Sequence, residues 1–269
     1  MIRQHTILTD LKRANPLIHC ITNIVVANFQ ANGLLALGAS PIMADSLEEA
    51  ADIAAISSCT LLNIGTLDST TGDSMIAAGK SAIQQGHPLV LDPVGAGATA
   101  FRKQTVDYLL DTLDFTLIRG NAGEIAAISG VTWNAKGVDA GSGDVDITNA
   151  AKLVARQNNC LVAVTGVTDL VTDGEQVIRI SGGHELMSLV TGSGCLLSAV
   201  AGAFLAVSHG DALQTVAESL AFYKKSGEIA AEQSFGPGDF AMNFLNTLHS
   251  IESQDVTDDQ FQYEQEVIS

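Results

Sequence analysis

The sequence predicts one α/β domain in which a mostly parallel sheet is covered by helices on both faces. Three observations carry this. Short, nearly continuous apolar runs of strand length alternate with helix-length segments from Asn15 to Gly166, the pattern of parallel strands buried on both faces. The chain has 269 residues, 46% hydrophobic and only 16% charged, enough to bury a sizeable core in a single domain spanning 1–269. Polar residues gather where the apolar runs stop, at Asn63, Asp92, Arg119 with Asn121, and Thr165. Open α/β sheets bind ligands at the carboxyl ends of their strands.

The elements follow in order. A polar helix is expected over 1–14, then an extended segment from Asn15 to Thr22 and a helix of small and apolar residues from Val26 to Leu37. A strand at Ala39 to Ala44 leads to Ser46-Leu-Glu-Glu49, which reads as a capping box opening a helix from Leu47 to Ser57. The rhythm continues with strands at Thr60–Thr66, Pro88–Val94, Phe115–Asn121 and Cys160–Gly166. The helices between them run to about Gln85, then over Ala100–Leu113, Ala122–Ser129 and Ile147–Asn158, with a polar Gly-rich loop at Gly137–Asp144. Asp173-Gly174 between β-rich arms predicts a hairpin at the sheet edge over Asp169–Ile180. Helices are expected at Leu213–Gln233 and Phe240–Ile251, with Gly236-Pro237-Gly238 as a stop signal between them. The acidic, Gln-rich tail 252–269 reads as a frayed end.

The net charge is -17, which argues against nucleic acid and anionic membranes as partners. An anionic substrate must then be held by helix amino ends, by one or two cationic side chains, or by a metal ion. Cys20, Cys59, Cys160 and Cys195 are widely spaced without a CxxC pair, which fits a reducing cytoplasm better than a disulfide framework or zinc. The amino terminus lacks the apolar stretch of a signal peptide, and the apolar run Cys195–Val207 is too short for a bilayer span. A soluble cytoplasmic protein is expected.

The chain is organised around LVTGSGCLLSAVAGAFLAV, Leu189 to Val207. Gly192 and Gly194 allow a backbone to come close to a ligand, and the apolar run after them has the length of a buried helix whose amino end is Thr191–Cys195. Unpaired first-turn amides and the helix macrodipole make such an end an anion site, although a Gly-rich turn entering a core helix would look the same. Two other glycine patterns are decoys. Gly79-Lys80-Ser81 stands too far from Gly72 for a P-loop and falls inside a helix. Gly95-Ala96-Gly97-Ala98-Thr99-Ala100 matches a dinucleotide fingerprint, but the next strand ends in Arg119 where that motif wants an acid.

Five segments together are specific. ITNIVVANFQANGLLALGASPIMADS (Ile21–Ser46), LDPVGAGATAFR (Leu91–Arg102), RGNAGEI (Arg119–Ile125), AVTGVTDLVTDG (Ala163–Gly174) and TGSGCLLSAV (Thr191–Val200) stand in the order found in hydroxyethylthiazole kinases. The chain resembles that family over roughly Asn15 to Ile251. The resemblance implies a ribokinase-like, three-layer αβα fold. It also implies transfer of the γ-phosphate of ATP to the primary alcohol of 4-methyl-5-(2-hydroxyethyl)thiazole with Mg²⁺, and a homotrimer with active sites between subunits.

The same resemblance assigns residues. The backbone of Gly192, Ser193 and Gly194 forms the anion hole, and Cys195 stands where other ribokinase-like enzymes carry an aspartate base. A thiol at a helix amino end is expected to have a lowered pKa, so Cys195 either accepts a proton or hydrogen-bonds the alcohol. A small core cysteine is the plainer reading. Asp92 and Glu124 match the magnesium carboxylates, a pair sufficient for an ion that also takes phosphate oxygens and water, although an Asp before Pro also forms turns. Arg119, Thr165 and Asn121 fall on the ATP side, Arg119 otherwise needing a carboxylate partner at the end of a buried strand. Thr22, Asn23, Met43 and Gly192 fall on the thiazole side. There Met43 can press on a sulfur heterocycle or be plain core, and Asn23 can bind the substrate or cap the next helix. His19 reads as a packed residue. Other readings are a hydroxymethylpyrimidine or pyridoxal kinase, a repair dehydratase for hydrated NAD(P)H, and a nucleotide- or thiazole-binding regulator without turnover.

Overall fold

Apolar strand residues divide by parity between two cores, and this division sets the architecture. In the computed structural model, which describes residues 6–68, 70–130 and 143–264, the strands are β1 (Leu17–Ile21), β2 (Ser40–Ile42), β3 (Cys59–Asn63), β4 (Leu89–Asp92), β5 (Leu117–Asn121), β6 (Leu161–Thr165), β7 (Asp169–Thr172), β8 (Val177–Ile180) and β9 (Phe261–Glu264). Cys20, Leu61, Val90, Leu117 and Ala163 face one core, while Ile21, Leu62, Leu91, Ile118 and Val162 face the other. Strand side chains alternate across a sheet, so both faces need cover.

The first face is covered by α1 (Ile7–Ala14), α2 (Ala27–Leu37), α8 (Ser193–Leu205), α9 (Ala212–Glu232) and α10 (Pro237–Ser250). The second is covered by α3 (Ala50–Ile56), α4 (Thr71–Gln85), α5 (Ala100–Thr112), α6 (Ala122–Ser129) and α7 (Gly143–Asn158). The result is the expected three-layer αβα arrangement. The sheet order is β2-β1-β3-β4-β5-β6-β7-β8-β9. Pairing is parallel from β2 through β6 and antiparallel from β6 to β9. The Gly79-Lys80-Ser81 decoy lies inside α4, as expected.

Four local expectations are corrected. The tail does not fray over 252–264. Ile251, Val256 and Phe261 are buried, and β9 pairs with β8. Burial of such side chains stabilises by about 1.5–3 kcal/mol each, enough to hold a segment without charge complementarity. Consequently the β7–β8 hairpin forms but is not the edge, because β9 lies outside it. The Ser46–Glu49 capping box does not form. The Ser46 hydroxyl donates to Glu48, and α3 starts at Ala50 with no side-chain cap. Gly236-Pro237-Gly238 starts a helix rather than stopping one. Pro237 occupies the first turn of α10 and Asp239 accepts the Gly236 amide at 2.9 Å, the arrangement that tolerates proline's missing N–H. The Gly-rich loop expected over 137–144 lies outside the described residues as far as 142, and α7 opens at Gly143.

Candidate active site

The organising stretch forms what its composition predicts. Gly192 caps α8 with φ +92°, a left-handed conformation, and a Cβ there would stand 2.9 Å from Val26 Cγ1. Only glycine meets both demands without strain. Leu196 N donates to Gly192 O at 2.8 Å and Ser193 N reaches Val190 O at 3.3 Å, whereas the amides of Gly194 and Cys195 have no acceptor among the described residues. Side chains fix the carbonyls of the same turn. Gln30 Nε2 donates to Cys195 O at 2.7 Å and the Tyr223 hydroxyl to Ser193 O at 2.5 Å. The Ser193 hydroxyl turns away to Met187 O at 2.7 Å, so Ser193 offers this site its backbone only. Two unpaired amides at the start of a 13-residue helix form a preorganised anion cradle.

Below the cradle runs a buried polar chain from the ends of β1, β3 and β4. Asn23 Nδ2 donates to Asn63 Oδ1 at 3.0 Å and reaches Cys195 Sγ at 3.5 Å. Asn63 Nδ2 and Ser198 Oγ both donate to Asp92 Oδ2, at 2.9 and 2.8 Å. Asp92 Oδ1 is buried without a partner. Burial pushes the Asp92 carboxyl up, to about 6, with Glu124 adding to the rise and Arg119, Ser198 and Asn63 opposing it. Asn23 is therefore committed to this chain and does not cap α2, whose cap position is Val26.

Cys195 departs from expectation in one respect. Burial, reinforced by Asp92, raises its thiol to about 11, so desolvation outweighs the helix end and the sulfur is protonated at neutral pH. Cys195 is only half-buried and faces Asn23, which distinguishes it from Cys20, Cys59 and Cys160, all buried thiols pushed up by desolvation.

On the other side of the cradle, Arg119 Nη2 donates to Thr165 Oγ1 at 2.5 Å, and the guanidinium lies against Gly194, where a Cβ would stand 3.0 Å from Nη1. Arg119 makes no ion pair among the described residues, and its Nε is buried without a partner. A buried cation in no direct ion pair keeps donors and charge for an anionic ligand. Asn121 and Glu124 form a capping box at α6. Asn121 Oδ1 accepts Glu124 N at 3.0 Å and Glu124 Oε2 accepts Asn121 N at 2.8 Å. Glu124 Oε1 accepts Gly95 N at 2.9 Å, tying the glycine turn after β4 to α6.

The structure thus brings Asn23, Asp92, Arg119, Glu124, Thr165 and Gly192–Cys195 to one end of the sheet. Thr22 follows β1, half-buried, with its hydroxyl unpartnered, and Met43 follows β2 with 36% exposure, so it is not core. His19 is packed as expected, its Nε2 2.6 Å from Ala44 O. The sequence pattern of the Hydroxyethylthiazole kinase family matches residues 8–254.

The chain belongs to the hydroxyethylthiazole kinase family. A hydroxyethylthiazole kinase from Exiguobacterium sp. is 50% identical over 248 residues, covering 92% of this chain and 94% of its own length. A solved hydroxyethylthiazole kinase structure from Pyrococcus horikoshii OT3 is 36% identical with a TM-score of 0.88, covering 97% of this chain and 98% of that one. A ribokinase-like superfamily protein from Enterococcus faecalis, 11% identical, shares the fold alone, with a TM-score of 0.63 over 90% of this chain and 94% of its own. The dinucleotide, pyridoxal and dehydratase alternatives therefore give way to a phosphotransferase of the hydroxyethylthiazole kinase family.

Several residues around this candidate site were not singled out from the sequence. Ser198 and Gln30 complete the Asp92 chain and the cradle. Lys224, on α9, is buried with Nζ 3.2 Å from Asp169 Oδ1. Its signal was present in LAFYKKSGEIAA, where Leu220, Lys224 and Gly227 share one helix stripe.

Proposed function

We propose that this kinase moves the γ-phosphate of ATP to the primary alcohol of 4-methyl-5-(2-hydroxyethyl)thiazole at the amino end of α8. The observation that carries the reading is the pair of unpaired amides at Gly194 and Cys195, flanked by the Arg119 guanidinium, whose Nε has no partner, and by Asp92 with an open oxygen. Phosphoryl transfer spreads charge over the equatorial oxygens of a loose transition state, so positioning and charge stabilisation dominate. The amides of the Gly192–Cys195 turn receive that charge. Arg119, held by Thr165, takes ATP phosphate oxygens, and Asn121 at the end of β5, whose backbone N and Oδ1 are both used in the α6 capping box, offers its side-chain Nδ2. Cys195 sits beside the alcohol as a protonated thiol, orienting it by hydrogen bonding while Asn23 fixes the sulfur. As the alcohol's O–P bond forms and the bond to ADP breaks, the alcohol's proton leaves late, to an oxygen of the transferred phosphoryl group, so a strong protein base is unnecessary. Thr22, Asn23, Met43 and Gly192 line the thiazole side.

Mg²⁺ fits this donor set. Asp92 Oδ1 is an orphaned buried carboxylate oxygen, and Glu124 stands close enough to raise the Asp92 pKa although each of its oxygens already accepts an amide. Asp92 would hold the ion directly, and Glu124 would support it. When bound, the ion would neutralise phosphate charge. Ile24 and Val25, next to Asn23 in the chain, are 78% and 70% exposed. Adjacent large apolar side chains left exposed beside a site are consistent with a subunit contact there, and the homotrimer itself follows from the family resemblance. Four free thiols support a reducing, cytoplasmic location.

The test is ADP release with the thiazole alcohol, hydroxymethylpyrimidine and pyridoxal compared side by side, together with mass measurement in solution. Preference for the thiazole alcohol and a trimeric mass are expected. Preference for another alcohol, or tight ATP binding without turnover, contradicts the reading.

A further inference from the structure

We propose that Lys224 is a positioning residue for ATP, acting from beneath the site by clamping two turns against each other. The inference rests on the reading that ATP phosphates meet Arg119 and Thr165. Lys224 Nζ donates to Gly166 O at 3.2 Å, Val167 O at 3.0 Å and Gly182 O at 3.1 Å, and pairs with Asp169 at 3.2 Å. The first two carbonyls belong to the turn between β6 and β7, which begins one residue after Thr165, and the third to the turn leaving β8. Because Asp169 and Ile180 are register partners, both turns lie at the sheet end that carries Thr165. Asp169 closes the first turn from within by accepting Gly166 N at 2.9 Å.

The charge is out of place for a purely structural stitch. Lys224 and Asp169 are 6% and 3% exposed as side chains, while Gly166, Val167 and Thr168 above them are exposed. A buried ion pair contributes little net stability compared with apolar residues of the same volume, and its best-attested use is to select one conformation. Here the selected conformation is an exposed turn with few other anchors. Thr165 is the residue through which that turn reaches Arg119. Tyr223, the preceding residue on α9, fixes Ser193 O, so adjacent α9 residues hold the phosphate cradle and the Thr165 turn in mutual register.

The test compares Lys224→Met, the paired Asp169→Asn/Lys224→Met and Arg119→Ala by steady-state kinetics and thermal melting. The paired variant leaves no unpaired buried charge and keeps the test valid if Lys224→Met does not fold. The proposal expects both Lys224 variants to raise KM for ATP by about tenfold or more while KM for the thiazole alcohol stays within about twofold. A loss of kcat with both KM values unchanged means a structural role and overturns it. An unchanged KM for ATP in the Lys224 variants beside a raised one in Arg119→Ala overturns the clamp alone. An unchanged KM for ATP in Arg119→Ala overturns the ATP site and the clamp with it.

Discussion

Replacing Gly194 by alanine separates the chemistry of the cradle from its stability. Gly194 is the second residue of α8 and has ordinary helical backbone, so a side chain there brings no conformational strain. Alanine improves helix propensity by up to about 1 kcal/mol. Its Cβ would stand 3.0 and 3.3 Å from Arg119 Nη1 and Nη2, closer than carbon normally approaches nitrogen, so the guanidinium must yield and its bond to Thr165 loosens. Losing a hydrogen bond made by a charged group costs about 1.5–3 kcal/mol, or about 10- to 150-fold in kcat/KM for ATP. Gly192→Ala is the contrast. There φ is +92° and the new Cβ meets the branched Val26 at 2.9 and 3.0 Å. Left-handed strain of about 1–2 kcal/mol and overpacking of about 1–3 kcal/mol then fall on the fold itself. Thermal melting with ATP-dependent kinetics distinguishes the two. Gly194→Ala is expected to melt at or slightly above the wild-type temperature with impaired ATP use, and Gly192→Ala to melt well below it. Wild-type ATP kinetics in Gly194→Ala, or equal destabilisation of both variants, would refute the placement of Arg119 against the cradle.

Other predictions concern the buried polar chain. Asp92 titrates near 6 in the fold against an ordinary 3.8, so its charged form destabilises the folded state above pH 6, by roughly 3 kcal/mol, and the cost is relieved as pH falls from about 6 towards 3.8. Asp92→Asn should therefore be more stable than wild type in urea at pH 8, with the gap closing by pH 4, while turnover falls by ~100-fold or more; a gap that widens on acidification contradicts this. Cys195→Ala should slow turnover without abolishing it, and Cys195→Asp should keep or raise it; complete loss in a folded Cys195→Asp removes Cys195 from the alcohol's side. At pH 7 to 8 the high thiol pKa predicts slow alkylation by iodoacetamide, accelerating towards pH 11. Glu124→Gln should lower stability by about 1 kcal/mol through the weakened cap and depress turnover most at low Mg²⁺; a flat Mg²⁺ dependence assigns Glu124 to the cap alone.

The fold was legible because short apolar runs alternating with helix-length segments are a local property, and the polar ends of β3, β4, β5 and β6 announced which sheet end carries the site. What escaped depended on tertiary competition. Asn121-Ala-Gly-Glu124 and Ser46-Leu-Glu-Glu49 present the same capping signal, and only the first forms, because Glu48 diverts the Ser46 hydroxyl. The tail carried Val256 and Phe261 among its acidic residues, and those two burials, with Ile251 just before them, outweigh its composition. The helix-end argument for Cys195 pointed to a lowered thiol pKa and had the direction wrong, because it omitted desolvation, which depends on how deeply α8 is buried. Lys224 sat in plain view as a cation on an apolar stripe, but its carbonyl partners lie 42 to 58 residues away in the chain.

The central claim is that the terminal phosphate of ATP is received by the amides at the start of α8. A crystal structure with an ATP analogue and the thiazole alcohol bound together tests it most directly. The account predicts a phosphate oxygen about 3 Å from the Gly194 and Cys195 nitrogens, with the alcohol oxygen beside Cys195 Sγ. Phosphates bound elsewhere on the sheet, with those two amides left to water, would contradict it.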